Sequence, residues 1–217
     1  MARPVDFAAL TAGFGPAPPV VAAGVSGGPH SLALALLAQE WAAARGIRFL
    51  ALIADHGLRP ESAAEAEHVR AMLAGQGIAA RVLALSVAPG PAMQERAREA
   101  RLAALLAACA EEGAAWLFLG HHRLDQVETL LFRAARGSGE AGLAAMPGWR
   151  AMPEALVLRP LLGTPPAALE DVCAAAGLPP VRDPSNDNPR FARIRTRAAL
   201  ADPGGEGETV AALALAA

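Results

Sequence analysis

The sequence predicts an α/β fold in which a mostly parallel β-sheet is covered by helices on both faces. Short apolar runs of strand length alternate along the chain with alanine- and leucine-rich segments of helix length. Such alternation requires crossover connections, which are right-handed and leave consecutive strands parallel. Residues 47–54 (IRFLALIA) are apolar at nearly every position, which is typical of a strand buried on both faces. With 217 residues, of which 53% are hydrophobic, the chain is long enough to bury a sizeable core.

The same pattern gives the bounds of the individual elements. Glycines at positions 46, 137 and 177 directly follow helical segments, where glycine commonly ends a helix. Residues 1–19 are punctuated by glycine and proline, and we interpret them as a lead-in. The predicted strands are 20–25, 47–54, 81–87, 115–119 and 156–162, and the predicted helices are 31–45, 61–74, 93–112, 125–136 and 165–176.

The composition excludes several classes of protein. All 19 basic residues are arginine, so the chain has no lysine for a Walker-type phosphate loop or a pyridoxal phosphate Schiff base. Cys109 and Cys173 form no C-x-x-C pair, so we expect two buried structural cysteines. The formal net charge of −2 gives no overall attraction to nucleic acid. No apolar run is long enough to span a membrane, and we expect a soluble, cytoplasmic protein without a membrane partner.

The most informative segment is the turn that follows the first predicted strand. The apolar run 20–25 ends in a serine- and glycine-rich turn, and a helix begins at once. Glycines let the backbone approach a ligand closely, and the N–H groups at the start of a helix attract anions. We therefore predict that the turn binds the phosphates of a nucleotide cofactor, through Ser26, Gly27, Gly28, Pro29, His30 and Ser31.

Two other polar loops follow predicted strands in the same way. Residues 55–61 come after the second strand, and residues 121–128 come after the fourth. Ligands of open parallel sheets bind at the carboxyl ends of the strands. We therefore expect these loops and the glycine-rich turn to form a single site.

A serine hydrolase is a weaker alternative. Residues 24–28 fit the nucleophile motif G-x-S-x-G, with Ser26 as the nucleophile. However, the motif follows the first strand, whereas hydrolases place it after several strands. The available histidines and aspartates also do not follow in the order serine, acid, histidine.

Further motifs occur in order along the chain, and together they resemble the tRNA(Ile)-lysidine synthase family of PP-loop ATP pyrophosphatases. The turn resembles the family motif S-G-G-x-D-S. The later matching segments are 54–62 (ADHGLRPES), 94–101 (QERAREAR), 121–129 (HHRLDQVET), 136–146 (RGSGEAGLAAM), 159–162 (RPLL) and 183–197 (DPSNDNPRFARIRTR). The resemblance implies a parallel-sheet, Rossmann-like PP-loop domain that binds ATP at 20–150. A short helical, arginine-bearing extension at 151–200 and a tail at 201–217 would follow it.

The resemblance implies a two-step ligation. ATP and Mg²⁺ would adenylate the C2 carbonyl oxygen of the wobble cytidine in tRNA(Ile), whose anticodon is CAU. The amine of free L-lysine would then displace AMP and leave lysidine. Catalytic roles are implied for His121, Asp125 and Arg193, and substrate-binding roles for Asp55, His56, Gln94, Arg98, Asp125, Glu128 and Arg195. No residue is assigned as a metal ligand, because loop histidines more often form hydrogen bonds.

Three features depart from the family pattern and keep a second hypothesis open. His30 stands at the position of an aspartate that is expected to help hold Mg²⁺, which prefers oxygen ligands. Leu124 stands at the position of the first of two aspartates. The chain ends about 20 residues after residue 197, and we expect the separate C-terminal tRNA-binding domains of longer members to be missing. The second hypothesis is a catalytically impaired PP-loop protein that binds nucleotide or tRNA.

Overall fold

The structure is a computed structural model that describes residues 5–55, 57, 61–85, 90, 92–135, 145–179, 207 and 210. The strands are β1 (Val20–Val25), β2 (Arg48–Asp55), β3 (Ala80–Ala84), β4 (Trp116–Leu119), β5 (Trp149–Ala151) and β6 (Leu156–Leu158). The helices are α1 (Phe7–Thr11), α2 (Pro29–Ala43), α3 (Ser62–Gly75), α4 (Met93–Glu112), α5 (Arg123–Ala135) and α6 (Pro166–Ala175). A 3₁₀ turn, Ala12–Phe14, directly follows α1.

The strands form a six-stranded sheet in the order β3-β2-β1-β4-β6-β5. β1 is flanked by β2 and β4, and both run parallel to it. β3 and β6 extend the parallel arrangement on either side, whereas β5 runs antiparallel to β6 at the edge. The predicted fold class is thereby confirmed. Because β2, β1 and β4 are neighbours, the loops at their carboxyl ends lie side by side.

Both faces of the sheet are buried, as the apolar strands predict. Val21 of β1 and Phe118 of β4 pack on one face with residues of α2, α3 and α6. Their sequence neighbours Ala22 and Leu117 pack on the opposite face, where Cys109 of α4 contributes to a second apolar cluster. The alternation follows from the two-residue period of a strand. The site loops are therefore carried by a rigid three-layer scaffold.

The segment that we interpreted as a lead-in packs on this scaffold from residue 5, where the described residues begin. Asp6 caps α1, because its Oδ1 accepts a hydrogen bond from the Ala9 amide at 3.0 Å. Phe7 is buried and contacts Trp41 and Phe118 edge to face, with ring centroids 6.1 and 5.6 Å apart. A helix of five residues is too short to show a helical period in the sequence, so α1 was not predicted.

The predicted bounds agree with the structure to within two residues, except where two strands end. β3 ends at Ala84 rather than at 87, and residues 86–89 lie outside the described part of the chain. β6 ends at Leu158 rather than at 162, because Pro160 has no N–H to offer a ladder. β5 was not predicted, since its three residues are all exposed and show no apolar pattern.

The described part of the segment assigned to an extension, residues 151–179, packs with the rest of the domain through one strand and one helix. β6 pairs with β4, and α6 packs on α2, where Cys173 Sγ donates to the Pro29 carbonyl at 3.1 Å. Residue 150, where we placed the boundary, lies inside β5. The remaining residues of the predicted extension, 180–200, lie outside the described residues.

Both cysteines are buried and free, as expected. Burial raises the pKa of the Cys109 thiol to about 12 and that of the Cys173 thiol to about 11. Such thiols stay protonated at neutral pH and act as small apolar side chains. Within the described residues, no helix is long and apolar enough to cross a bilayer.

Candidate active site

The turn between β1 and α2 is held closed by Ser31. Its Oγ accepts a hydrogen bond from the Ser26 amide at 3.1 Å and donates to the Gly28 carbonyl at 2.9 Å. The hydroxyl oxygens of Ser26 and Ser31 lie 3.2 Å apart. Gly27 has a φ of +83°, a conformation that residues with a Cβ rarely adopt. Serine and glycine are therefore both required by the shape of the turn.

The start of α2 is suited to an anion. Gly28 is the N-cap and supplies no side-chain hydrogen bond, and the first turn contains no acidic residue. Pro29 occupies the first helical position, where its fixed φ is favourable and its missing N–H costs nothing. The partial positive charge of a 15-residue helix is therefore left for a ligand to neutralise.

Gly120 brings the end of β4 against this turn. A Cβ at position 120 would lie 3.2 Å from the His30 carbonyl oxygen and 3.3 Å from Ser31 Cα. Both contacts are with backbone atoms, which cannot move away cheaply. Gly120 thus allows the segment that begins with His121 to follow directly beside the turn. The sequence reading did not assign it a role, although a glycine directly after an apolar strand is a recognisable signal.

His30 lies between two other elements. Its ring meets the ring of His122 edge to face, with centroids 4.0 Å apart and an interplanar angle of 74°. Its Nε2 lies 3.8 Å from Glu170 Oε1 on α6. His122 is only 2% exposed, so this contact is part of the packed interior. Sequence reasoning missed Glu170, because α6 carries no motif that points to the turn.

Asp125 caps the start of α5. Its Oδ2 accepts a hydrogen bond from the His122 amide at 3.0 Å and lies 3.5 Å from His122 Nε2. A carboxylate in the first turn that reaches back to the N-cap amide is a known capping arrangement. The side chain is about one-fifth exposed, so the carboxylate can also face a ligand.

His121 has a different environment from its neighbour. Burial lowers the pKa of His121 to about 4, and Arg159, Arg98 and Arg101 act in the same direction. Asp125 opposes this shift only in part. His121 is therefore a neutral imidazole at physiological pH. Its Nδ1 is buried and has no hydrogen-bond partner within the described residues.

Two further polar side chains of α5 are buried. Both polar atoms of the Gln126 side chain form hydrogen bonds with the backbone of Met146. Its Oε1 accepts from the Met146 N–H at 2.7 Å, and its Nε2 donates to the Met146 carbonyl at 3.0 Å. Gln126 thereby anchors the segment before β5, a role that the sequence reading missed. Glu128 is 4% exposed, and a carboxylate so buried requires partners or a bound cation.

Of the remaining predicted site residues, some lie within the described part of the chain and others lie outside it. Asp55 ends β2, and its Oδ1 accepts a hydrogen bond from the Gly57 amide at 3.0 Å. Arg98 is exposed on α4. His56, Arg193, Arg195 and the side chain of Gln94 lie outside the described residues, so their roles stay predictions.

Leu124 does not face the turn. It is 2% exposed and packs with Val127, Val210 and Leu131 in a small apolar cluster. We expected it to mark a missing acidic group in the site. In this chain the side chain at position 124 instead contributes apolar packing beneath α5.

The geometry gives the serine hydrolase hypothesis no support. Within the described part of the chain, the side chain at hydrogen-bond distance from Ser26 Oγ is the hydroxyl of Ser31, which cannot act as the required base.

The glycine-rich turn, the helix start behind it and the adjoining loops are the parts of a nucleotide-binding α/β domain. The family described as a PP-loop domain matches residues 10–203, and the chain belongs to that family. A tRNA(Ile)-lysidine synthase of Novosphingobium aromaticivorans is 47% identical over 180 residues, which cover 82% of this chain and 54% of the relative. A tRNA(Ile)-lysidine synthase of Hyphomonas neptunium is 46% identical over 187 residues, covering 83% and 50%.

These relatives confirm the resemblance inferred from the motifs. The chain spans about half the length of the curated relatives it matches. Among solved structures, the U34-tRNA thiolase NcsA from Methanococcus maripaludis superposes with a TM-score of 0.74 at 16% identity. That match covers 96% of this chain and 75% of the thiolase, and it shows a shared fold.

Proposed function

We propose that this chain carries the ATP-dependent ligase activity that joins lysine to the wobble cytidine of tRNA(Ile). The observation that carries the proposal is the serine- and glycine-rich turn at the uncapped start of α2, which Gly120 brings against His121 and Asp125. The similarity to relatives named tRNA(Ile)-lysidine synthase supports the choice of substrate. Family membership supports ATP as the nucleotide.

The turn would hold ATP by its phosphates. Backbone N–H groups and the Ser26 and Ser31 hydroxyls are donors that suit phosphate oxygens. The dipole of α2 would stabilise the negative charge that grows on pyrophosphate as it leaves. No lysine side chain is available, so the backbone and arginines supply this stabilisation.

The described residues do not fit a magnesium site built by the protein. Mg²⁺ takes six oxygen ligands in octahedral geometry and favours carboxylates and phosphates. The position beside the turn carries the imidazole of His30, which contacts His122 and Glu170. No cluster of three or more potential ligands occurs within the described ranges. No step of the proposed reaction is therefore attributed to a magnesium ion held by these side chains.

In the first proposed step, the C2 carbonyl oxygen of the cytidine attacks the α-phosphorus of ATP. A new phosphorus–oxygen bond forms while the bond to the bridging oxygen breaks, and pyrophosphate leaves. Arg98 lies on the α4 side of the site and would help to neutralise the phosphates. The same role for Arg193 and Arg195 rests on the sequence alone.

In the second proposed step, the amine of lysine attacks C2. A carbon–nitrogen bond forms, the carbon–oxygen bond to AMP breaks, and the amine gives up a proton. Asp125 and Glu128 carry the negative charge that would hold the α-ammonium group of lysine, whereas the amine that attacks C2 must be neutral. His121 is neutral and can hydrogen-bond the reacting amine. A phosphate beside it would raise its pKa and make it a better proton acceptor.

The proposal is tested by measuring AMP release with ATP, lysine and tRNA(Ile). We expect AMP to form only when all three are present. His121→Ala should lower the rate by about 10²-fold or more, by analogy with lost acid–base groups. His68→Ala is the matched control, since His68 is exposed on α3. Folded protein that releases no AMP under these conditions would refute the activity.

The second candidate is a nucleotide- or tRNA-binding protein without ligase activity. The contact of His30 with Glu170 and His122 favours it, because an imidazole replaces the carboxylate that the motif predicts. His30→Asp distinguishes the two candidates. If the parent releases no AMP and His30→Asp does, the result supports the candidate without ligase activity. If the parent itself releases AMP, that candidate is excluded.

A further inference from the structure

The two edges of the sheet differ in how well they are protected. β3 and β5 are the outer strands of the six-stranded sheet. β5 has three residues, all exposed, with Arg150 at its centre. β3 has five residues in unbroken register with β2, and it contains neither a bulge nor a proline. Short length, charged side chains, prolines and bulges keep an edge strand from pairing with another chain, so β3 is the less protected edge.

The charged side chain of β3 is engaged on a neighbouring helix. Nη2 of Arg81 lies 2.7 Å from Glu111 Oε2, and Nη1 lies 3.4 Å from Glu112 Oε1. Both carboxylates belong to the end of α4 or directly adjoin it. The guanidinium group is therefore held toward α4 and leaves the backbone of β3 accessible.

The backbone of β3 directs its hydrogen bonds to two sides. The Ala51 amide donates to the Ala79 carbonyl at 2.9 Å, and the Leu85 amide donates to the Asp55 carbonyl at 2.8 Å. In a parallel ladder, alternate residues bond to the strand on one side, so the odd-numbered residues of β3 bond to β2. Within the described residues, no strand pairs with the other side of β3. The residues whose N–H and C=O groups face that open side are Ala80, Val82 and Ala84.

We propose that the open side of β3 pairs with β3 of a second copy of this chain, antiparallel about a two-fold axis at Val82. This axis places Val82 opposite Val82 of the second copy, and Ala80 opposite Ala84. All of these are outward-facing residues, so they form hydrogen-bonded pairs in which each N–H meets a carbonyl. The alanine side chains are small enough to let the two backbones reach hydrogen-bond distance.

The charged side chains also fit a second copy. In this register Arg81 lies opposite Leu83 of the second copy, so like charges are not placed opposite each other. The side chains of Arg81 and Glu111 are 40% and 58% exposed, so each can face the opposite charge of the other copy. Both line the groove of about 270 Å³ between β3 and α4, which side chains of an added strand would enter. The edge is thus complementary to itself, as a two-fold interface requires.

The expected dimer is weak and leaves the candidate active site open. A ladder of five residues is smaller than the roughly 1,200–2,000 Å² of surface that a stable interface buries. The two-fold axis reverses the strand direction, so the glycine-rich turns of the two copies would lie at opposite ends of the joined sheet. The pairing therefore does not depend on the proposed ligase activity.

Sedimentation equilibrium between about 10 µM and 1 mM tests the dimer, because a small interface dissociates in this range. Val82→Pro removes an outward N–H and keeps the bonds to β2, since proline is tolerated on the open side of an edge strand. We expect its dissociation constant to rise about tenfold or more, because the dimer loses one hydrogen bond in each copy.

The controls separate the missing N–H from other effects. Val82→Ala shortens the same side chain and keeps the N–H, so it should dimerise more tightly than Val82→Pro. If Val82→Pro does not fold, Ala84→Lys replaces it, since Ala84 is exposed and a lysine on an edge strand opposes pairing. Dissociation constants equal to that of the parent for the folded variants would overturn the proposal.

Amide exchange followed by NMR tests the register itself. In dilute protein the amides of Ala80, Val82 and Ala84 should exchange fast, whereas those of Arg81 and Leu83 are protected by β2. In concentrated protein the first three should become protected as well. A monomer at every concentration, or a dimer with unprotected edge amides, would overturn the proposal. Edge amides that are protected in the monomer would show that another part of the chain covers β3, and would overturn it too.

Discussion

Adjacent residues in this chain can have different roles because their side chains meet different neighbours. His121 and His122 are adjacent, and the sequence motif contains them as two consecutive histidines. His122 is buried against His30 and donates its amide to Asp125, so it contributes to the shape of the site. His121 meets arginines and has a buried ring nitrogen that a ligand can use. Of the two, His121 is therefore the catalytic candidate, and His122 is a structural residue of the site.

Gly120 is the residue whose replacement should most directly separate the turn from His121. In Gly120→Ala the new Cβ would meet backbone atoms of His30 and Ser31 at 3.2 and 3.3 Å. We expect a loss of about 1–3 kcal/mol in the free energy of unfolding. ATP affinity should fall by about tenfold, which corresponds to about 1.4 kcal/mol. Urea titration and calorimetry measure the two effects.

Gly148→Ala is the matched control for that change. A Cβ at position 148 meets nothing within 4 Å, so the substitution adds a methyl group without a clash. Equal losses of ATP affinity in the two variants would show that the contact at Gly120 does not position the site.

His121 should make stability depend on pH in a defined window. The pKa of this group is lowered from 6.5 to about 4, chiefly by burial. Between these values the unfolded chain binds a proton that the folded chain does not bind. The free energy of unfolding should therefore fall as pH decreases through this window, by up to about 1.4 kcal/mol per pH unit.

The comparison that isolates this effect is between the parent and His121→Gln. The variant should lose less stability than the parent between pH 6.5 and pH 4, the window set by the shift. Chemical denaturation at several pH values measures the difference, and His68→Gln controls for removing a histidine. Parallel pH profiles for the parent and His121→Gln would contradict a buried neutral imidazole.

At the scale of elements, the β1–turn–α2 unit depends on one serine. Ser31→Ala removes the acceptor for the Ser26 amide and the donor to the Gly28 carbonyl. We expect about 1 kcal/mol of lost stability per hydrogen bond at most, because the turn is partly exposed. ATP affinity should fall by about tenfold, since the N–H groups would no longer be held in position. Calorimetry checks this, with Ser62→Ala on α3 as the control.

The same unit shows which features of the structure the sequence predicts and which it does not. β1 and α4 were predicted with their observed bounds, because apolar periodicity and helix-ending glycines are local signals. The turn was predicted as a whole from its serines and glycines. The contacts of Glu170 with His30 and of Gln126 with Met146 were not predicted, since they join segments distant in sequence. A hydrogen bond between distant segments leaves no periodic pattern, and it becomes visible only when the strand order is known.

At the scale of the whole molecule, the strand order explains why the polar loops meet. β2, β1 and β4 are adjacent, so the loops that carry Asp55, Ser26 and His121 leave the same edge of the sheet. The described residues also contain two other clefts. A cleft of about 460 Å³ lies between α2 and α6 near Gln39, Ile78 and Ala176, and one of about 270 Å³ lies between β3 and α4. Ile78 precedes β3, which places the larger cleft toward the opposite, amino ends of the strands.

Nucleotide binding should therefore protect one edge of the molecule from hydrogen exchange. At about 100 times its Kd, ATP should stabilise the folded chain by about 2.7 kcal/mol. Beyond this global effect, we expect local protection at residues 26–32 and 120–126, which surround the turn. The segments 36–40 and 172–176 contribute lining residues to the larger cleft and should show only the global change. Exchange measured by mass spectrometry, with and without ATP, distinguishes the two regions. Local protection that appeared at the larger cleft and not at the turn would place the nucleotide at the wrong edge of the sheet for the proposed chemistry.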